Sequence, residues 1–215
     1  MTSGGPPRGE AVDPALEHVL NALAPPGLLI GHRLISPGDE DALLGEEAAS
    51  IFSTVVAVRR ASGAARIVAR ELLAQLGHPR APLPKSASGA PVWPAGIAGS
   101  LAHDDEVAVA AVGRQRDVGS VGIDVEPAVL LPPDMLELIT TPNELGKIAD
   151  DPLCGKLLFA AKEAVYKAVY PLERVFLEFR DIEVDLAARQ AMTRTGRAVA
   201  LRYDLSPRVV VLALA

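Results

Sequence analysis

The chain has 215 residues, a formal net charge of −6, and an ordinary globular balance of 49% hydrophobic and 22% charged residues. That charge argues against a general nucleic-acid binder, and no run of about 18 apolar residues offers a membrane span. With a single cysteine, Cys154, no internal disulfide can form, which points to a reducing, cytoplasmic setting and an incidental thiol.

Residues 1–14 hold Gly and Pro but no apolar core, so they read as a disordered leader and not as a secretory signal. A short helix is expected over 15–24, stopped by Pro25 and Pro26, and then a strand over 28–35. Ser36 is the expected N-cap of a further helix, with Pro37 at its first position and Asp39, Glu40 and Asp41 in its first turn. A long helical pattern over 55–76 ends at Gly77, and Arg59, Arg60, Arg66 and Arg70 give it a basic face. Residues 81–94 read as a Pro-rich loop carrying Lys85, with Trp93 as a packing anchor.

Strands are expected over 97–103, 107–112 and 118–126, joined by linkers too short for a parallel return, so the pairing should be antiparallel. Residues 133–139 read as a helix, and Thr141-Pro-Asn-Glu144 resembles a capping box that opens another. The last strands are expected over 176–186, 198–203 and 208–215, with the Val209-Val-Val-Leu run inside a sheet.

Two segments carry chemistry. In the first, read GIDVE, Val121, Ile123 and Val125 alternate with Gly122, Asp124 and Glu126. A period of two sends both carboxylates to one face, with Cα atoms about 6.5–7 Å apart. The second, LFAAKEAVYKAV, has helical spacing: Leu158, Ala161, Val165 and Ala168 form an apolar stripe. At about 100° per residue, Glu163 and Lys167 fall together on the far side, with Lys162 on the flank. Asp124, Glu126 and Glu163 are three oxygen donors of the type Mg²⁺ takes. Taken separately, each segment also fits an exposed polar face or a surface ion pair.

Together, GIDVE and FAAKEAVYKA resemble the paired signature of the 4′-phosphopantetheinyl transferases. The stretch GAPVWPAGIAGSLAH, ending at His103, is similar to the motif that precedes that pair in the enterobactin-synthase-component-D-like branch. The resemblance spans roughly residues 59–179. It implies an α+β fold built as a pseudo-twofold pair of halves, each a small antiparallel sheet packed on a long helix. Residues 15–112 would form the half on the coenzyme A nucleotide side, and 113–215 the half with the metal and the signature helix. The active site would lie between them in one compact monomer.

The activity implied is transfer of 4′-phosphopantetheine from coenzyme A to a serine of an apo acyl or peptidyl carrier protein, leaving adenosine 3′,5′-bisphosphate. The branch leans towards secondary metabolism. Asp124, Glu126 and Glu163 would hold Mg²⁺, or Mn²⁺ in its place. Lys162 would offset phosphate charge, and Glu163 or a water on the metal would be the base. Lys85, Ser100 and His103 would bind the nucleotide phosphates, with Lys167 contributing. The family's basic patch reads Lys-Arg-Arg-x-Glu-Phe and then Gly-Arg, whereas this chain has VRRASGAARIVAR. Matching Arg66 to the last arginine puts Val58 where the first is expected and leaves Arg59 in place of the second. Either Arg60 substitutes by a small shift, or the 3′-phosphate is held less firmly.

Other readings are a serine hydrolase using Ser100, His103 and Asp124, and a non-catalytic coenzyme A-binding protein of the same fold. No Gly-x-Ser-x-Gly elbow and no Gly-x4-Gly-Lys-Ser/Thr loop is present.

Overall fold

The computed structural model describes residues 12–145 and 151–215. In chain order its elements are α1 (Pro14–Leu23), β1 (Leu28–Leu34), α2 (Gly45–Ser50), α3 (Val56–Gln75), β2 (Ile97–His103), β3 (Val107–Arg114), α4 (Gln115–Val118), β4 (Val121–Pro127), α5 (Pro133–Ile139), α6 (Pro142–Leu145), α7 (Cys154–Glu173), β5 (Ile182–Asp185), β6 (Gln190–Thr193), β7 (Ala198–Asp204) and β8 (Arg208–Leu214). All strand pairings between these elements are antiparallel. They make a three-stranded sheet in the order β1-β3-β2 and a five-stranded sheet in the order β4-β8-β7-β6-β5.

Period-two alternation sets the layers. On β3, Ala110 and Val112 meet Val68, Leu72 and Leu73 of α3. The alternate residues Val107, Val109 and Ala111 turn the other way and meet Val121, Ile123 and Val125 of β4 with Val210 and Leu212 of β8. The second face of β8, Val209, Val211 and Ala213, packs on Ala160, Ala161, Ala164 and Ala168 of α7. The molecule is therefore two sheets sharing a core, flanked by one 20-residue helix on each outer side. The valine run of β8 is buried on both faces, as an internal strand requires.

Local chemistry moves several boundaries. Asp13 caps α1, accepting from the backbone N–H of Ala15 and Leu16, so the helix starts at Pro14, inside the expected leader. Residues 1–11 of that leader lie outside the described residues. The helix expected after Ser36 is only a 3₁₀ turn over Asp39–Ala42. Ser36 caps nothing there. Its N–H donates to Asp39, which is buried against the Arg33 guanidinium. The strand expected from 176 begins at Ile182, because Phe179–Asp181 forms a 3₁₀ turn, and the four-residue strand β6 has too short a pattern to stand out in the sequence. The capping box at Thr141 and Glu144 is formed as expected and opens the helix α6, Pro142–Leu145; residues 146–150 lie outside the described residues.

One contact fixes β4 on α7. A Cβ added to Gly122 would lie 1.9 Å from the carbonyl O of Ala164 and 2.7 Å from the backbone N of Ala168. Both are helix backbone atoms that cannot step aside. Alongside, the Ser120 hydroxyl donates to the Ala168 carbonyl at 2.6 Å. Gly122→Ala should therefore destabilise the protein by about 3 kcal/mol or more, the upper end of overpacking costs. Urea unfolding measures this, and a loss under about 1 kcal/mol would mean the helix and strand can separate freely.

Candidate functional site

Because Gly122 holds β4 against α7, the same face of the strand carries Asp124 and Glu126 along the helix. Asp124 is buried, and its Oδ1 accepts from Lys167 Nζ at 2.6 Å, while the same ammonium donates to the Ile123 carbonyl at 3.2 Å. Asp124 Oδ2 is buried with no hydrogen-bond partner. Burial is the largest cause pushing the Asp124 carboxyl up to about 6; Lys167 opposes the shift, and Glu126 and Glu163 add to it. Glu126 pairs with Lys156 Nζ at 3.0 Å. Glu163, on the same helix, lines a cleft, and no ion pair or hydrogen bond takes up its carboxylate among the described residues.

Lys156 went unnoticed in the sequence. It lies seven residues before Glu163, so two helical turns put both on one face. Spacing alone could have found it, given the position of Glu126.

The cleft has a volume of about 610 Å³ and runs between α3, the loop 85–93, β2 and the exposed side of α7. Of the sequence-predicted residues, Arg66, Lys85, Ser100, His103, Glu163 and Lys167 line it. Arg66 is nearly fully buried; its Nε donates to the Leu83 carbonyl at 2.9 Å and its Nη1 to the Ser62 carbonyl at 3.0 Å. Burial is what lowers its pKa most. Among the described residues no carboxylate sits in hydrogen-bond contact with it, and the two carbonyls leave part of its fork of donors for a ligand. His103 stands at the cleft end of β2. The protein around it lowers its pKa most, and Lys167 and Lys85 lower it further. Arg66, Lys85, His103 and Lys167, four cationic or potentially cationic groups from both walls, thus face one space, an arrangement that suits a polyanion.

Ser100 Oγ accepts the backbone N–H of Ile123 at 3.0 Å, tying β2 to β4. Among the described residues it makes no hydrogen bond to His103, and the odd separation along β2 sends the two side chains to opposite faces. A Ser100–His103–Asp124 triad does not form.

Three expected residues lie elsewhere. Arg59 donates to the Ile51 carbonyl at 3.2 Å, and neither it nor Arg60 lines the cleft. Arg60 forms a two-bond pair with Glu40, at 2.8 and 2.9 Å, whose carboxyl the Arg60 hydrogen bonds hold down at about 2. Lys162 is fully buried on the opposite side of α7. Its Nζ donates to Glu144 Oε2 at 2.7 Å, the Ile139 carbonyl at 2.7 Å and the Phe179 carbonyl at 3.0 Å. Those three acceptors satisfy all three ammonium protons, so the expected phosphate role for Lys162 is corrected: it holds the fold. Glu144 in turn accepts from the backbone N–H of Val184 and Thr141.

The donor set suits a divalent cation in one respect, the orphaned Asp124 oxygen beside two further carboxylates. Among the described residues, no three His, Cys, Asp or Glu side chains already converge as a metal cluster. Lysines hold two of the carboxylates instead.

Comparison with known proteins is consistent along the chain. Residues 46–113 match the 4′-phosphopantetheinyl transferase N-terminal domain, and residues 120–212 match the 4′-phosphopantetheinyl transferase superfamily. The chain is 36% identical to the 4′-phosphopantetheinyl transferase Npt of Nocardia iowensis, over 83% of this chain and 81% of that protein. It is 42% identical to the 4′-phosphopantetheinyl transferase PptT of Mycobacterium tuberculosis over 66% and 64%. Enterobactin synthase component D of Escherichia coli is 30% identical over 56% and 60%.

The lysine assignment is testable by stability alone. Lys162→Met strands the buried Glu144 carboxylate and should cost about 3–5 kcal/mol in urea unfolding. Adding Glu144→Gln should recover part of that loss. A Lys162→Met protein as stable as the parent would show that the buried pair is not what anchors α6 and β5 to α7.

Proposed function

The chain belongs to the 4′-phosphopantetheinyl transferase superfamily, and from that premise we propose how its cleft performs the transfer. Coenzyme A lies between the walls, its nucleotide phosphates against Arg66, Lys85, Ser100 and His103. The observation that carries this reading is the convergence of these donors with Glu163 and Lys167 on one cleft.

A carrier-protein serine enters from the open side. Its hydroxyl oxygen attacks the phosphorus next to pantetheine. The new bond joins serine Oγ to that phosphorus, the bond to the bridging oxygen breaks, and adenosine 3′,5′-bisphosphate leaves. Such transfers depend on positioning and charge stabilisation more than on covalent intermediates. Glu163, whose carboxylate has no hydrogen-bond or ion-pair partner among the described residues, accepts the serine proton. Lys167, already a donor to Asp124, reaches the cleft and stabilises phosphate charge. Asp124, Glu126 and Glu163 would hold Mg²⁺, with Mn²⁺ able to take its place. Bound there, the cation would neutralise charge on the pyrophosphate oxygens. Lys167 and Lys156 hold Asp124 and Glu126 in position until then.

Both walls of the cleft come from one chain, which fits a monomer as the working unit. Among the described residues no helix is long and apolar enough to cross a membrane, and the only cysteine is buried, which fits a reducing cytoplasm.

The test is the intact mass of an apo acyl or peptidyl carrier protein after incubation with this protein, coenzyme A and Mg²⁺. The carrier should gain one phosphopantetheine. EDTA should abolish the gain, and Glu163→Gln should slow it on the order of a thousandfold while coenzyme A still binds. Coenzyme A binding with no gain on any of several carriers would point to a non-catalytic binder; an EDTA-insensitive gain would remove the metal from the mechanism.

A further inference from the structure

The cleft contains a flat apolar surface that the phosphate and carboxylate chemistry leaves unused. A Cβ built on Gly99 would lie 2.6 Å from Cζ2 and 2.7 Å from Cε2 and Cη2 of Trp93. Three adjacent ring atoms at nearly equal distance put that position over the face of the six-membered ring, not beyond its edge. The indole therefore lies flat on the β2 backbone where glycine removes the obstacle. One face of the ring is covered by the strand. Trp93 is only half-buried and lines the cleft, so its other face is turned away from β2.

The loop before it fixes where this surface stands. Lys85 and Pro91 form an antiparallel bridge, and the Val92 N–H donates to the Pro84 carbonyl at 2.9 Å. That closure folds residues 85–91 back on themselves and sets Trp93 level with Leu83, two residues along the chain from Lys85. A planar ring and a phosphate-type donor, Lys85, thus line the same wall of the cleft. The rings on the opposite wall are engaged with one another: Tyr166 packs on Tyr170 and on Phe176, with centroids 5.6 and 5.8 Å apart.

A nucleotide offers phosphate and a planar base one ribose apart. We propose that Trp93 is the stacking platform for the adenine of coenzyme A, with Gly99 as the residue that lays it flat. The inference rests on the reading of the cleft as a coenzyme A site. Stacking recognises a π-face and not a hydrogen-bond pattern, so Trp93 contributes affinity for a base without dictating its edges.

Trp93 is the only tryptophan in the chain, so intrinsic fluorescence reports on it alone. Titration with adenosine 3′,5′-bisphosphate or coenzyme A should change the emission saturably, after inner-filter correction, and 4′-phosphopantetheine should not. Trp93→Leu should raise the KM for coenzyme A about tenfold with kcat within about twofold, and Trp93→Phe should keep most of the affinity. Calorimetry runs alongside. Coenzyme A binding with no change in emission, or with an unchanged KM in Trp93→Leu, would overturn the platform and leave the transfer standing. No binding of coenzyme A to the parent protein would overturn both.

Discussion

The site depends on how closely a strand approaches a helix. At Gly122 the β4 backbone touches the α7 backbone, with no space for a methyl group. The facing helix residues Ala160, Ala161, Ala164 and Ala168 are all small and fully buried. Everything acidic in the site is then placed by periodicity. Asp124 and Glu126 follow Gly122 on its face of the strand, about 7 Å apart. Lys156 and Lys167 lie on α7 about 16 Å apart along the axis, so each ammonium must reach inward to its carboxylate. Glu163 sits between them on the helix. A wider gap between strand and helix would release both ion pairs and move Glu163 away from Asp124.

The signature helix uses its two lysines for different ends. Lys162 faces α5, α6 and the turn before β5, where burial lowers its pKa and Glu144 works against that loss. Its three acceptors come from the end of α5, from α6 and from the turn before β5, so one charge gathers three connections around α7. Lys167 faces the other way, half-buried against Asp124 and open to the cleft. Five residues apart on a helix, the two point in clearly different directions, roughly 140° apart. The same ionisable group is structural where all its protons are satisfied by protein, and available for chemistry where a ligand can reach it.

Much of this was legible in the sequence. Alternation in GIDVE placed Asp124 and Glu126 on one face, and helical spacing placed Glu163 with Lys167. The valine run announced an internal strand. What failed has physical causes. In the sequence Lys162 reads as accessible, because a one-dimensional helix pattern cannot show that α5, α6 and the turn at Phe179 wrap that flank. In the sequence Arg59 and Arg60 belong to a basic face, yet Arg60 is taken by Glu40, whose position depends on the Gly38 turn and not on α3 itself. Asp39 was read as a helix-start residue and is instead the buried partner of Arg33. Charged side chains pair across elements, and such pairs leave no periodic trace.

On the proposed reading, coenzyme A spans both walls of the cleft. Hydrogen–deuterium exchange with and without coenzyme A tests it directly. Exchange should slow together in the loop 85–93 and in the last turn of α7 around Tyr170 and Arg174, which face each other across the cleft. Slowed exchange around residues 95–97 and 114–116, which line a separate cavity, with neither wall affected, would place the ligand outside this cleft.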